Sequence, residues 1–314
     1  MRRRTFLALA AFAVPATVRC AGGSRAIVKV VTPTATNPAP PGTPTPTLTP
    51  APPPELILSA TDVYQAGAVL VSVVGQVKGG RVAFIDRAYP LTQGKRSMYA
   101  FVGVGADAPT GPLPLRADFT TSAGSSGSLT AEVNVIKTAW TVDSVTIPAN
   151  LARLLDPAVT ATELAQLAEV YAAVSGQKLW DGGWQLPVSG PITTRFGEQR
   201  SYNGAAVSGH HSGTDIGAPE GAPAVATNSG RVVMARQLQD RGNMVVVDHG
   251  GGLFSGYAHL SAFGVAEGQA VVGGDLVGYV GTTGLSTGAH LHWEMSAGGV
   301  LVDAIRFTDG TNGF

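Results

Sequence analysis

All six histidines of this 314-residue chain fall between positions 210 and 292. Imidazoles gathered in one stretch of a histidine-poor chain point to metal ligation or proton transfer. In His211-Ser-Gly-Thr-Asp215 an imidazole and a carboxylate stand four positions apart. Gly213 and β-branched Thr214 disfavour a helix there. In an extended segment an even spacing puts both side chains on one side, where they converge. Zinc accepts such a mixed nitrogen and oxygen set. In His290-Leu-His292-Trp-Glu294-Met, apolar and polar residues alternate. On a strand Leu291, Trp293 and Met295 face the core, and the two histidines share the other face. Two imidazoles side by side can serve a metal and its substrate together. Tyr257-Ala-His259-Leu260 supplies one more histidine to the same stretch.

Other residues earn lesser roles. His210 should point away from His211 in extended chain. His249 precedes three glycines and reads as structural or supporting. Tyr202 and Asn203 are placed to line a groove. Glu294 is a poor candidate for a catalytic base, with a supporting role at most. Gly281-Thr-Thr-Gly284 lacks the lysine of a phosphate loop and reads as a tight turn beside the site.

The elements that position these groups follow from patterning. From Trp184 to Ile305 short apolar strands alternate with glycine turns, as at Arg231–Ala235, Met244–Val247 and Leu276–Val280. That pattern predicts an antiparallel sheet with an open groove. Residues 160–175 read as a helix, with Thr160 and Glu163 as a capping box. Leu164, Leu167, Tyr171 and Val174 form its apolar face, and Gly176 its C-terminal cap. Residues 55 to about 140 carry short strands at Val69–Val74, Val82–Ile85, Met98–Val104, Leu113–Phe119 and Leu129–Ile136, the spacing of an Ig-like β-sandwich. This region has no histidine and no residues that look catalytic. The expected class is therefore mainly β: an N-terminal Ig-like sandwich (55–145), a helical connector (146–183) and a C-terminal glycine-rich antiparallel sheet domain (184–314).

The N-terminus reads as an export signal at residues 1–21. Arg2-Arg3-Arg4 precede an apolar run, Thr5 to Val18, too short to span a bilayer comfortably. Arg3-Arg4-Thr5-Phe6-Leu7 resembles a twin-arginine signal. The single cysteine, Cys20, excludes an intramolecular disulfide and a cysteine-ligated metal. It stands where a lipid anchor would attach, although Arg19 fits that signal poorly and cleavage nearby is the competing expectation. Residues 22–54 form a Pro/Thr-rich spacer, with ten of the 21 prolines between 32 and 54. Charge is balanced at 21 basic and 21 acidic residues, and loss of the four leader arginines leaves −4. No basic stripe for nucleic acid is present.

The C-terminal motifs together resemble the lysostaphin-type, LytM-like zinc endopeptidases. The resemblance covers roughly residues 184–305. It rests on Thr193-Thr-Arg-Phe-Gly197, His211 to Asp215, Asp248-His-Gly250, Tyr257-Ala-His-Leu260, the glycine run Gly278 to Gly288, and His290-Leu-His292. It implies one zinc ion per catalytic domain, held by His211, Asp215 and His292. It makes His259 and His290 the catalytic histidines that do not bind metal, without dividing base from oxyanion partner. Three protein ligands leave one position for water, as in a catalytic site. The implied substrate is peptidoglycan, cut in its stem peptides or cross-bridges by an exported monomer. The alternative is a non-enzymatic cell-wall-binding regulator of another hydrolase, against which the intact ligand set argues.

Overall fold

The computed structural model describes residues 51–312 and the two-residue strand Ile27–Val28. The export signal, Cys20 and most of the Pro/Thr-rich spacer lie outside the described residues. Strands dominate the rest.

Two five-stranded sheets form the N-terminal region. The first contains Glu55–Leu58, Ala68–Val74 and Ser97–Gly103, the second Val77–Phe84, Gly111–Thr121 and Ser126–Ile136. Along Ser126–Ile136 the buried positions are Leu129, Val133 and Val135, whereas Thr130 and Glu132 between them stay at the surface or partly so. Inward residues of both sheets, including Leu56, Val71, Phe84 and Leu115, close one core. Truncating a side chain as buried as Phe84 to alanine costs about 3–5 kcal/mol.

The connector follows. Val142–Val145 pairs in parallel with Gln199–Tyr202, tying the connector to the C-terminal region. A 3-10 turn, Ala149–Leu155, leads into the helix Pro157–Ala172. The helix begins three residues before the expected Thr160. Asp156 caps it by accepting from the Ala158 N–H at 2.9 Å, and Pro157 suits the first turn because it has no N–H to leave unpaired. Glu163 is thereby freed from any capping box. The helix buries Glu163, Leu167 and Tyr171, spaced by four, while Leu164 is exposed. It ends at Ala172 rather than near Gly176.

A ten-stranded sheet forms the C-terminal region. Its centre is the order Thr214–Gly217, His290–Ala297, Leu253–Phe263, Asn243–Gly250, Gly230–Gln237, with neighbours antiparallel. Both faces are covered. On one, Val245, Val247, Tyr257, Leu291, Trp293 and Met295 make a core. On the other, Met244, Val246, Phe254 and Ala258 lie under Leu167 and Tyr171 of the helix. Double coverage explains why Met244–Val247 reads as an unbroken apolar run rather than an alternating one. The two regions also share a core. Tyr99 and Phe101 pack edge-on against Trp180 at 6.2 and 5.4 Å, and Ala66 accepts from the Asp303 N–H at 2.8 Å. No helix among the described residues is long and apolar enough to cross a membrane.

Candidate metal centre

Register builds the centre. Asp215 and His292 are direct cross-strand partners, so their side chains share a face of the sheet. His211 reaches the same point from outside the strand. The chain bends at Gly213, where an added Cβ would lie 2.8 Å from the His292 ring and 2.7 Å from the Trp293 carbonyl. The even-spacing argument for an extended segment therefore reaches the right side through a bend and not through alternation. Backbone bonds hold the bend: the His211 N–H donates to Glu198 O at 2.8 Å, and the Gly197 N–H donates to His211 O at 2.9 Å.

The result is a compact triangle. His211 Nε2 lies 3.1 Å from Asp215 Oδ1, His292 Nδ1 lies 2.8 Å from the same oxygen, and the two nitrogens are 3.0 Å apart. All three residues are buried and could hold a metal ion. Ligands ~2.0–2.1 Å from a tetrahedral zinc stand about 3.3 Å apart, within a few tenths of an ångström of this triangle. The tautomers fit as well. A carbonyl oxygen can only accept, so His211 Nδ1–H donates to Arg195 O at 3.0 Å and leaves Nε2 as a ligand. His292 Nε2–H donates to Glu294 Oε1 at 3.0 Å and leaves Nδ1.

Electrostatics follow from burial and partners. Burial penalises the Asp215 carboxylate, but the bonds from His211 and His292 outweigh that and hold it well below the usual carboxylate range. Burial lowers His211. It also opposes charge on His292, yet Asp215 and Glu294 prevail and raise that ring to about 9. The proton they hold on Nδ1 is the one a metal cation would displace.

His259 and His290 complete the group without joining the triangle. Their rings lie 4.8 Å apart, and His259 lies 5.6 Å from His292. His290 Nε2 is 3.6 Å from Asp215 Oδ1. Each has its Nδ1–H on a backbone carbonyl at 2.8 Å, Thr283 O for His259 and Gly288 O for His290, so each presents Nε2. Burial, then the nearby His292 and His290, lower His259 to about 3, a neutral ring at physiological pH. Strict alternation from Tyr257 would turn His259 into the core. Instead the register slips between Val245↔Tyr257 and Asn243↔Leu260, and His259 adopts a left-handed φ of 59°. Two residues oppose one across this bulge, which re-aims the ring.

The remaining sequence candidates go elsewhere. His210 binds Gly197 O at 2.6 Å and Asp107 of the N-terminal region at 2.8 Å. His249 is enclosed by Ser229 O and Ser255 Oγ. Asn203 accepts from the Ile147 N–H at 2.8 Å and anchors the connector. The Gly281–Gly284 turn supplies the Thr283 carbonyl. Sequence reasoning missed Arg200, whose Nη2 stands 3.5 Å from Asp215 Oδ2 and which also pairs with Asp143. It missed Ser212 and Arg241, which bond Glu294. No local signal marks Arg200. Arg241 stands beside the apolar run Met244–Val247, a weak cue.

Known proteins match the same segment of the chain. Residues 209–304 match the model of Peptidase family M23. The DD-carboxypeptidase/endopeptidase Mpg of Neisseria meningitidis serogroup B is 43% identical over 95 residues, 30% of this chain and 22% of that protein. The peptidoglycan DD-endopeptidase ShyA of Vibrio cholerae serotype O1 is 37% identical over 115 residues, 37% of this chain and 27% of that protein. The match thus spans about a quarter of these relatives' length. A crystal structure of a peptidase M23 from Pseudomonas aeruginosa aligns with TM-score 0.58 and 25% identity, covering 78% of this chain and 94% of that one. The M23 match thus falls on the segment that carries His211, Asp215, His259, His290 and His292.

Proposed function

We propose that this chain is a zinc metallo-endopeptidase that hydrolyses peptide bonds in the stem peptides or cross-bridges of peptidoglycan, outside the cytoplasmic membrane. The observation that carries the reading is the triangle of His211, Asp215 and His292 with two further histidines presenting Nε2 beside it. The family and the printed activities of Mpg and ShyA support the substrate class.

His211, Asp215 and His292 are the ligands in this reading. Zinc held there supplies Lewis acidity toward water and the scissile carbonyl. His259 and His290 divide the proton work, one taking the proton of the attacking water and the other stabilising the oxyanion or protonating the leaving amine. Both have Nδ1 pinned to a backbone carbonyl, so neither ring must turn to act. Arg200 steadies the far oxygen of Asp215. The N-terminal segment fits export, with Cys20 as the point of lipid attachment or cleavage close by.

Digestion of defined peptidoglycan by the purified chain, with mass analysis of fragments, tests this. New amine termini at peptide bonds, absent with His292→Ala, are expected. A chain that retains no zinc and leaves sacculi uncut would sink the enzyme reading in favour of a wall-binding regulator.

A further inference from the structure

The matched peptidase domain begins at residue 209, yet the support of one of its ligands begins before it. His292 is oriented by Glu294, which is fully buried. Glu294 Oε1 accepts from Arg241 Nε at 2.8 Å, Arg241 Nη2 at 2.6 Å and Ser212 Oγ at 3.0 Å. Oε2 accepts from the Tyr171 hydroxyl at 3.3 Å. The other arm of Arg241 runs to the connector helix, where Nη1 donates to Glu163 Oε1 at 2.9 Å. Glu163 also accepts the backbone N–H groups of Asp240 and Arg241, at 2.8 and 3.1 Å. Glu163 and Tyr171 both belong to the helix Pro157–Ala172.

We propose that the connector helix is a working part of the metal centre: Glu163, acting through Arg241 and Glu294, positions His292 and raises its strength as a ligand. The inference rests on the metal-centre reading above.

Charge makes the case. Glu163, Arg241 and Glu294 are at most 5% exposed. Two buried carboxylates around one guanidinium leave one negative charge that the guanidinium does not balance. An isolated pair would need no second carboxylate, and burying the extra charge is costly unless a positive partner stands near. A metal cation held by two neutral histidines and one carboxylate is that partner, one imidazole away from Glu294. A carboxylate behind a ligand histidine fixes its tautomer and makes it a stronger donor. Glu163 keeps Arg241 from neutralising Glu294 outright, because it shares the guanidinium. It also fixes the loop that carries Arg241 by binding two of its backbone N–H groups. A helix that served packing alone would bury Leu167 and Tyr171 without placing a carboxylate in the same stripe.

The test is zinc affinity of the full chain, measured by competition with a chelator and paired with the melting temperature of the metal-free protein. Glu294→Gln should weaken zinc about 10- to 100-fold, the range for partners of metal-bound histidines. Glu163→Gln, nearly isosteric and one step further away, should weaken it about 3- to 10-fold. The double variant should resemble Glu294→Gln alone, because both changes act through one ring. If Glu163→Gln does not fold, Tyr171→Phe removes the helix's direct hydrogen bond to Glu294 and should weaken zinc about twofold or more. Unchanged affinity in a folded Glu163→Gln protein, or strictly additive losses in the double variant, would overturn the inference and leave the metal-centre reading standing. An unmodified chain that binds no zinc would overturn both.

Discussion

His249 and His292 lie in one sheet, both buried and both bonded through two ring nitrogens. Their chemistry is opposite. His249 meets a backbone carbonyl and a serine hydroxyl, and burial drives it down to about 4. His292 meets two carboxylates, which raise it to about 9 against the same burial. The difference lies in the partners and not in depth. Neutral partners close a network: His249 Nδ1–H donates to Ser229 O, so Nε2 accepts from the Ser255 hydroxyl, while the Tyr257 hydroxyl accepts from the Thr227 N–H and donates to Ser255 Oγ, so no atom is left over. Charged partners concentrate negative potential on one point, and that point is where His211 Nε2 arrives. One network fastens the fold and the other is the proposed ligand site.

The sharpest way to break this contrast is to remove each histidine in turn. His292→Ala should abolish both zinc retention and turnover, read by metal analysis and by fragment release. His259→Ala or His290→Ala should keep zinc while turnover falls about 10²- to 10⁴-fold, the worth of a positioned proton-transfer group. Zinc lost together with activity in either variant would move that residue into the ligand set.

Sequence and structure agree most where a rule is local. Alternation of Leu291, Trp293 and Met295 against His290 and His292 is a property of any strand with an apolar and a polar face, and it appears as read. The proposed ligand group was legible as a cluster because rare residue types gather in one stretch. What stayed illegible is tertiary. His259 needs a bulge, and that bulge is set by how Asn243 and Val245 of the neighbouring strand pair with Leu260 and Tyr257. Glu163 read as a cap because Thr160 precedes it by three, whereas Asp156-Pro157 starts the helix earlier. In the structure Glu163 joins Leu167 and Tyr171 in the buried stripe, whereas Leu164, expected on the apolar face, is exposed. The partner of Glu163, Arg241, is 78 residues away, and no spacing rule reaches it. Arg200 is hidden for the same reason, since its tie to Asp143 depends on two strands pairing in parallel.

A smaller effect separates the two networks by pH. The folded protein holds His249 at about 4, below its ordinary 6.5. Between those values the unfolded chain binds a proton that the folded chain refuses, so stability rises with pH across this window. The contribution is complete above about 6.5 and is lost on acidification toward 4. His249→Leu should flatten this part of the melting-temperature profile. At neutral pH it should cost about 1–3 kcal/mol, because Ser255 and Ser229 lose a buried partner. Zinc content and turnover should not change. Loss of zinc in this variant would mean that the two networks communicate.

The smallest effect is expected where the N-terminal region touches the loop that carries His211. Asp107 Oδ1 stands 2.8 Å from His210 Nε2, one residue from a ligand, so it invites a role in the metal centre. Its side chain, however, is 86% exposed, and an ion pair so open to water is worth little. His210 also keeps its bond to Gly197 O and its edge contact with Trp140 at 5.6 Å without Asp107. Gly197 in turn holds the His211 carbonyl, so the bend survives. Asp107→Ala should therefore shift stability by no more than about 0.5 kcal/mol, with zinc affinity and turnover within about twofold of the unmodified chain. A loss of zinc as large as that expected for Glu163→Gln would show that the N-terminal region acts on the metal centre through His211, as the connector helix does through His292.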